Sequence, residues 1–231
     1  ANHYAQMASS QLNGIFSGVA FPMLCSIQND MERLARVYRQ YLRIIAFIVF
    51  PLMVGMSAVA KPLIIVMLTE KWIDVVGLLQ IICLSMMWYP VHAINLNLLQ
   101  VKGRSDLFLR LEVIKKIIIV IVMCITVPIS IKAMVIGSLC TSLICLFINT
   151  YYTGKLINVG YLKQMKDLLP ILLLALFMGL CVYIITLVVP GYLLQLIIGV
   201  ISGMIIYVGI AYLFKMSELT ELLTLIKLRK K

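Results

Sequence analysis

The sequence predicts an all-α integral membrane protein, a bundle of about seven transmembrane helices. Three observations carry this expectation. Of the 231 residues, 63% are hydrophobic and 13% charged, and the mean hydropathy of +1.07 lies far above that of a soluble domain. From Leu168 to Phe214 no residue is charged; as one helix this run would reach roughly 70 Å, about twice the ~30 Å hydrocarbon layer, so the chain must cross twice. Backbone groups in lipid need partners within their own segment, so these crossings are helices rather than open strands.

The first helix is expected over about residues 4–25. Stepping ~100° per residue, Asn2, Gln6, Ser9, Ser10, Asn13 and Ser17 fall within an arc of about 100°. Lipid does not tolerate such a stripe, so it faces either a watery cavity or another helix. Gln6, Ser9, Asn13 and Ser17 are its cavity-lining candidates. In "QNDMERLARVYRQYLRI" Asp30 fits an N-cap, and Arg33, Arg36, Arg39 and Arg43 occupy an arc of about 120° opposite Leu34, Val37, Tyr41, Ile44 and Ile45. This predicts an amphipathic helix on the inner leaflet before the chain dives over 42–60. The arginines serve either as an orientation-holding stop signal or as direct contacts to an anionic headgroup.

The next span covers 75–99, where Pro90 can bend the helix and Tyr89, His92 and Asn95 share a face. His92 is either a proton carrier or a hydrogen-bonded packing residue, and with Asn95 it joins the cavity-lining set. The stretch "VKGRSDLFLRLEVIKK" follows as a basic loop in which Gly103 permits a turn and Asp106 can cap the following helix. The span 117–131 is short and lengthens by snorkelling Lys115 and Lys116 at one end and Lys132 at the other. Arg110, Lys115 and Lys116 are candidate contacts for an anionic lipid headgroup; the alternative is that the lysines are simple anchors. Spans over 133–154, 168–189 and 192–214 complete the bundle, the last two separated by the helix-breaking Pro190 and Gly191 of "VVPGYL". An amphipathic tail over 217–231, with Glu218 and Glu221 in its first turn and basic residues at its end, reads as a surface anchor.

Charge sets the expected orientation, because loops rich in Lys and Arg stay cytoplasmic. Alternate loops separate cleanly. One set carries Arg33, Arg36, Arg39 and Arg43; Lys102, Arg104, Arg110, Lys115 and Lys116; Lys155, Lys163 and Lys166; and Lys215, Lys227, Arg229, Lys230 and Lys231, whereas the other has only Lys61, Lys71 and Lys132. The first helix therefore starts outside and the C-terminus lies inside. The net charge of +11 follows from the same cause and points to anionic lipid rather than nucleic acid. The chain begins without Met, and a first helix starting outside has no preceding crossing to deliver it, so a fragment is expected.

The six cysteines (Cys25, Cys83, Cys124, Cys140, Cys145, Cys181) form no CxxC pair and read as buried apolar thiols. No nucleophile with a base, carboxylate pair, Gly-rich phosphate loop or metal-ligand cluster is visible. The sequence thus predicts no catalytic residues, no metal, no cofactor and no enzyme.

The run "VAFPMLCSIQNDMERLARVYRQYLRIIAFIVFPLMVGMSAVAKPLIIVMLTEKWIDVVGLLQIICL" and then "HAINLNLLQVKGRSDLFLRLEVIKK" resembles the C-terminal half of bacterial Wzx-type flippases for lipopolysaccharide and polysaccharide biosynthesis. These belong to the multidrug/oligosaccharidyl-lipid/polysaccharide exporter superfamily. The resemblance rests on the "FP", "PL", "EKW" and "KGRSDLF" elements in this order and covers nearly the whole chain. It implies one lobe of a two-lobed transporter of roughly fourteen helices, this chain supplying about the eighth to the fourteenth, with the N-terminal lobe as partner. It also implies the substrate, an undecaprenyl-pyrophosphate-linked oligosaccharide flipped across the bacterial inner membrane by alternating access, with membrane lipids and polysaccharide polymerase machinery as further partners. The rivals are a cation-coupled multidrug exporter of the same superfamily and a non-transporting scaffold. The first wants an intramembrane carboxylate, whereas the nine acids are expected in loops, at span edges or in the tail.

Overall fold

The computed structural model describes residues 23–222, and these are all-α. The polar stripe of Gln6, Ser9, Asn13 and Ser17 and the basic end of the tail lie outside the described residues. Helix α1 (Met31–Ala58) starts as expected, with the Asp30 carboxylate accepting the Arg33 backbone N–H at 3.0 Å. It then runs unbroken through the arginines, where a separate surface helix is expected from sequence. The reason is burial: Leu34, Tyr38 and Leu42 are each fully buried, so the first turns already pack inside the bundle instead of lying on a leaflet.

A break at Val59 leads into α2 (Ala60–Leu68), a 3-10 turn at Glu70–Trp72, and then α3 (Val75–Met86) and α4 (Tyr89–Val101). The last two are the expected single span, bent at Met87 and Trp88 with Pro90 in the first turn of α4, where its missing N–H is harmless. Helix α5 (Ser105–Thr126) corrects the expectation of a short span over 117–131. The basic stretch is its first half rather than a loop, Asp106 turns back to Arg104 at 3.0 Å rather than capping, and Lys132 belongs to the next helix. That is α6 (Ile131–Ile157), capped by Ser130, whose hydroxyl accepts the Ala133 N–H at 3.1 Å. Helices α7 (Tyr161–Val188) and α8 (Tyr192–Leu213) are joined through Gly191 at φ 86°, a conformation that favours glycine.

Among the described residues, five stretches are long and apolar enough to cross a membrane: Met31–Ala58, Val75–Val101, Ile131–Ile157, Tyr161–Val188 and Tyr192–Leu213. Helix α5 fails that measure because Asp106, Arg110, Glu112, Lys115 and Lys116 crowd its first half. Helix α1 is central and packs chiefly on α7, which packs in turn on α8, while α5 lies against α6. In lipid, apolar burial between helices gains little, so close approach and hydrogen bonds must hold the bundle. Gly179 of α7 supplies one such approach, since a Cβ there would run into the Val54 side chain of α1. Tyr207 of α8 supplies a bond, its hydroxyl donating to the Phe47 carbonyl at 2.9 Å.

The ends that carry most of the basic residues meet. Lys102 donates to the Gln28 carbonyl at 2.9 Å, Arg39 grips Asp167 of α7 at 2.6 and 2.7 Å, and Arg43 lies 3.5 Å from Glu218 in the helical segment 217–222. Two of the four arginines read as headgroup contacts are therefore engaged within the protein. Glu218 is buried, so this part of the tail is docked rather than a free surface anchor. The cysteines also divide: Cys83 and Cys145 are buried, Cys25 and Cys181 half-buried, and Cys124 and Cys140 exposed on the outer surface.

Candidate functional site

Helices α3 to α6 enclose a cavity of about 610 Å³. A two-residue turn at Met87 and Trp88 separates α3 from α4. On the opposite wall α5 presents Glu112, Lys115 and Lys116, three residues that one turn of helix brings close together. Lys115 is only 9% exposed and is ion-paired with Glu112. A lysine this deep in an apolar bundle is costly unless paired, and the glutamate offsets that cost. Lys115 is therefore no snorkelling anchor. Its neighbour Lys116 is exposed at the cavity edge, because consecutive residues on a helix point ~100° apart.

His92 enters from α4. One ring nitrogen, Nε2, lies 3.2 Å from the Ser142 hydroxyl, and Nδ1 lies 3.2 Å from the Asn149 side-chain nitrogen. The Ser142 hydroxyl donates onward to the Ser85 carbonyl at 3.4 Å. With the Asn149 amide oriented to donate to Nδ1, the Nε2–H donates to the Ser142 hydroxyl. Tyr89, Ser138 and Thr141 add further polar groups to the wall.

Asn95, expected beside His92 in the cavity, is turned away from it. It is 1% exposed and lies in a seam between α4, α6 and α7. Its amide exchanges bonds with Gln164 at 3.2 Å in both directions, accepts the Thr153 hydroxyl at 2.6 Å and donates to the Val91 carbonyl at 2.8 Å. The Tyr38 hydroxyl faces Thr153 and Gln164 in this seam without a hydrogen bond of ordinary geometry. The one helical face thus splits, with Tyr89 and His92 on the cavity and Asn95 in the packing.

The structure brings together His92, Lys115 and Lys116 of the residues singled out from sequence. Arg33, Arg36 and Arg110 are exposed and lie apart from the cavity; Arg39 and Arg43 are paired with Asp167 and Glu218. The sequence reading missed Glu112, Ser142 and Asn149. A signal for two of them was present: Ser138, Ser142, Asn149 and Thr153 fall within about 60° on α6, a polar stripe as clear as the one on the first predicted helix.

A family model described as "Polysaccharide biosynthesis protein" matches residues 1–77. Among curated proteins, an uncharacterized membrane protein in the cps region of Klebsiella pneumoniae is 32% identical over 48% of this chain. The lipopolysaccharide biosynthesis protein WzxC of Escherichia coli (strain K12) is 29% identical over 50%, and the teichuronic acid biosynthesis protein TuaB of Bacillus subtilis (strain 168) is 26% identical over 42%. The matched segments span 23%, 23% and 20% of those relatives' own lengths. Among solved structures, the lipid II flippase MurJ in an inward closed conformation superposes over 92% of this chain and 46% of its own, with a TM-score of 0.70 and 20% identity, a likeness of fold. Residues 1–77 thus match a family of polysaccharide biosynthesis proteins, and the helical bundle shares the fold of a lipid II flippase.

Proposed function

We propose that the chain forms the C-terminal lobe of a flippase that moves undecaprenyl-pyrophosphate-linked oligosaccharide outward across the bacterial inner membrane by alternating access, for lipopolysaccharide, capsule or exopolysaccharide. The observation that carries this reading is the pair of lysines, Lys115 buried and Lys116 at the rim, on a cavity whose largely apolar wall also carries His92, Ser138 and Ser142. A pyrophosphate does not cross lipid unaided, and a cationic, hydrogen-bonding wall lowers its desolvation cost. Two lysines against one glutamate leave the wall with an excess positive charge. The basic loops meet at one end of the bundle, which we assign to the cytoplasm, where the loaded carrier is made; the C-terminus then lies inside. With the cell interior negative, outward movement of each negative charge is favoured by about 2.3 kcal/mol per 100 mV.

The test compares Lys115→Gln/Lys116→Gln with Lys115→Arg/Lys116→Arg in the full-length protein, measuring lipid-linked oligosaccharide retained on the cytoplasmic face. Accumulation with glutamine and not with arginine is expected. Normal flipping by the correctly inserted glutamine variant refutes the reading.

One observation favours the cation-coupled exporter as a second reading. Glu112 is a carboxylate on the cavity wall, where the sequence analysis expected none. In the present arrangement Lys115 already neutralises it, which fits an anion site better than a cation site. Transport by Glu112→Gln separates the two: a coupling carboxylate is indispensable, whereas a lysine partner is not.

A further inference from the structure

The corner where α6 gives way to α7 lies apart from the cavity and carries a different pattern. Between Phe147 and Lys166 the chain has three lysines and no acid, and the next carboxylate along it, Asp167, is already held by Arg39. Phe147, Tyr151 and Lys155 follow one another at i, i+4 and i+8 on α6, a stripe about 12 Å long. Phe147 is 57% and Tyr151 51% exposed. Their mutual contacts hold these side chains: the Lys155 ammonium stands 4.7 Å from the Tyr151 ring centroid, and Phe147 meets Tyr161 of α7 edge to face at 5.4 Å. The turn between the helices is tight as well. Asn158 takes a left-handed conformation at φ 58°, a Cβ on Gly154 would come within 2.8 Å of the Gly160 Cα, and Lys163 donates to the Asn158 carbonyl at 2.8 Å. The rings and ammonium groups are therefore positioned before any ligand arrives.

A stripe that runs from phenyl through phenol to ammonium has the polarity gradient of a leaflet boundary. The interfacial layer is roughly 5–8 Å deep on each side of the hydrocarbon core, so a stripe of about 12 Å reaches from acyl chains at Phe147 to phosphates at Lys155. An ammonium carries three donors, and the contacts to Tyr151 and Asn158 leave capacity for a phosphate. We propose that this corner is a structural binding site for an anionic phospholipid, its phosphate at Lys155 and Lys163 and its acyl chains along Tyr151 and Phe147. Its place in the fold gives the lipid a task. Helix α6 packs mainly on α3, α4 and α5, whereas α7 packs mainly on α1 and α8, and a lipid lying across the corner ties the two groups together. A zwitterionic lipid brings its own cation to the phosphate and gains less from the lysines. Which leaflet supplies the lipid rests on the orientation proposed above; the chemistry of the corner does not.

The experiment places the full-length protein in phosphatidylcholine nanodiscs and adds phosphatidylglycerol in steps. The thermal unfolding midpoint is read together with the phosphatidylglycerol retained in native mass spectrometry. Phosphatidylglycerol should raise the midpoint and stay bound. Lys155→Gln/Lys163→Gln should weaken retention by about tenfold or more and abolish the rise, whereas Lys155→Arg/Lys163→Arg should keep both. Should the glutamine pair fail to fold, Lys163→Gln alone, at an exposed lysine, gives the same reading of retention. Undiminished retention in these variants overturns the site. Lys61→Gln/Lys71→Gln removes two exposed lysines between α1 and α3 and should change nothing; an equal loss there reduces the effect to general surface charge and also overturns it. Polyprenyl phosphate should not displace the retained phosphatidylglycerol, and displacement would give the corner to the transported carrier and sink the proposal. A photocrosslinker in place of Tyr151 should capture lipid, and capture of the N-terminal lobe instead overturns the site. Failure on any of these counts leaves the reading of Lys115 and Lys116 untouched, because Phe147, Tyr151, Lys155 and Lys163 do not line the cavity.

Discussion

Breaking the Arg39–Asp167 pair should destabilise the bundle in a way that depends on which partner is removed. The guanidinium grips the carboxylate through both Nε and Nη2, at 2.6 and 2.7 Å, a bidentate geometry that suits arginine. The two side chains differ in surroundings: Asp167 is 8% exposed and Arg39 is 43% exposed. Removing one member of a fully buried pair costs about 3–5 kcal/mol, and the solvent around Arg39 brings the expectation down to about 1–3 kcal/mol. Arg39→Gln leaves a buried carboxylate without its cation and should lie at the upper end, about 2–3 kcal/mol. Asp167→Asn leaves an arginine whose long side chain turns out to water, and should cost about 1 kcal/mol. The double variant should fall near Asp167→Asn, giving a coupling energy of about 2–3 kcal/mol. Denaturation of the purified protein in detergent, followed for all four members of the cycle, provides the numbers. Equal effects of the two single variants, or additivity within about 0.3 kcal/mol, would refute the argument that Asp167 is held in a dry site by Arg39.

Gly179→Leu should lower the yield of folded protein by wedging α7 from α1, at a cost of about 2–3 kcal/mol, and Val54→Ala should recover part of it in a thermal-stability assay. Asn95→Leu leaves Thr153 and Gln164 short of partners and should cost about 2 kcal/mol, read as a lower thermal unfolding midpoint. Ser130→Ala removes the cap of α6 and should cost about 1 kcal/mol, visible as earlier thermal unfolding. For orientation, cysteines introduced near Lys71 and Gly191 should be labelled from outside sealed cells, while those at Ser105 and Asn158 stay protected; labelling at Ser105 would invert the proposed topology.

Helix positions in the apolar half of the chain were legible because length and uncharged runs set them directly. The turn at Pro190 and Gly191 and the bend before Pro90 were legible as backbone chemistry. The charged helices were harder. A run such as "MERLARVYRQY" reads equally as a surface helix or as the protruding end of a span, and the choice depends on whether Leu34 and Tyr38 meet another helix, which periodicity along one segment does not reveal. The same limit hid the site. His92, Lys115 and Lys116 stood out one by one, but Asn95 shares a face with His92 in sequence and parts from it in space because α6 and α7 arrive from different sides. Asp167 passed unremarked and Glu218 was read only as an acid at a helix start, since Asp167 lies 128 positions from Arg39 and Glu218 farther still from Arg43, joined only by folding.

The Glu112–Lys115 pair bears on why an anion carrier would bury a carboxylate at all. An unpaired ammonium in apolar surroundings is strongly disfavoured, and the Glu112 carboxylate offsets that cost while the site is empty. When a phosphate arrives it competes for the same ammonium, and the local charge changes from two lysines with one carboxylate to a site in which Glu112 has lost its partner. That leaves Glu112 as the residue made costly by binding, because its carboxylate has lost its cation. Binding of a lipid phosphate should therefore be tightened, not weakened, by Glu112→Gln, which removes the competitor and still fills the space. In photolabelling with a diazirine-bearing polyprenyl phosphate, half-maximal labelling should occur at a lower concentration than in the unaltered protein, while transport is retained. If Glu112→Gln weakens labelling as much as the double glutamine variant of Lys115 and Lys116, the carboxylate is positioning the lysine rather than competing for it, and the displacement argument fails.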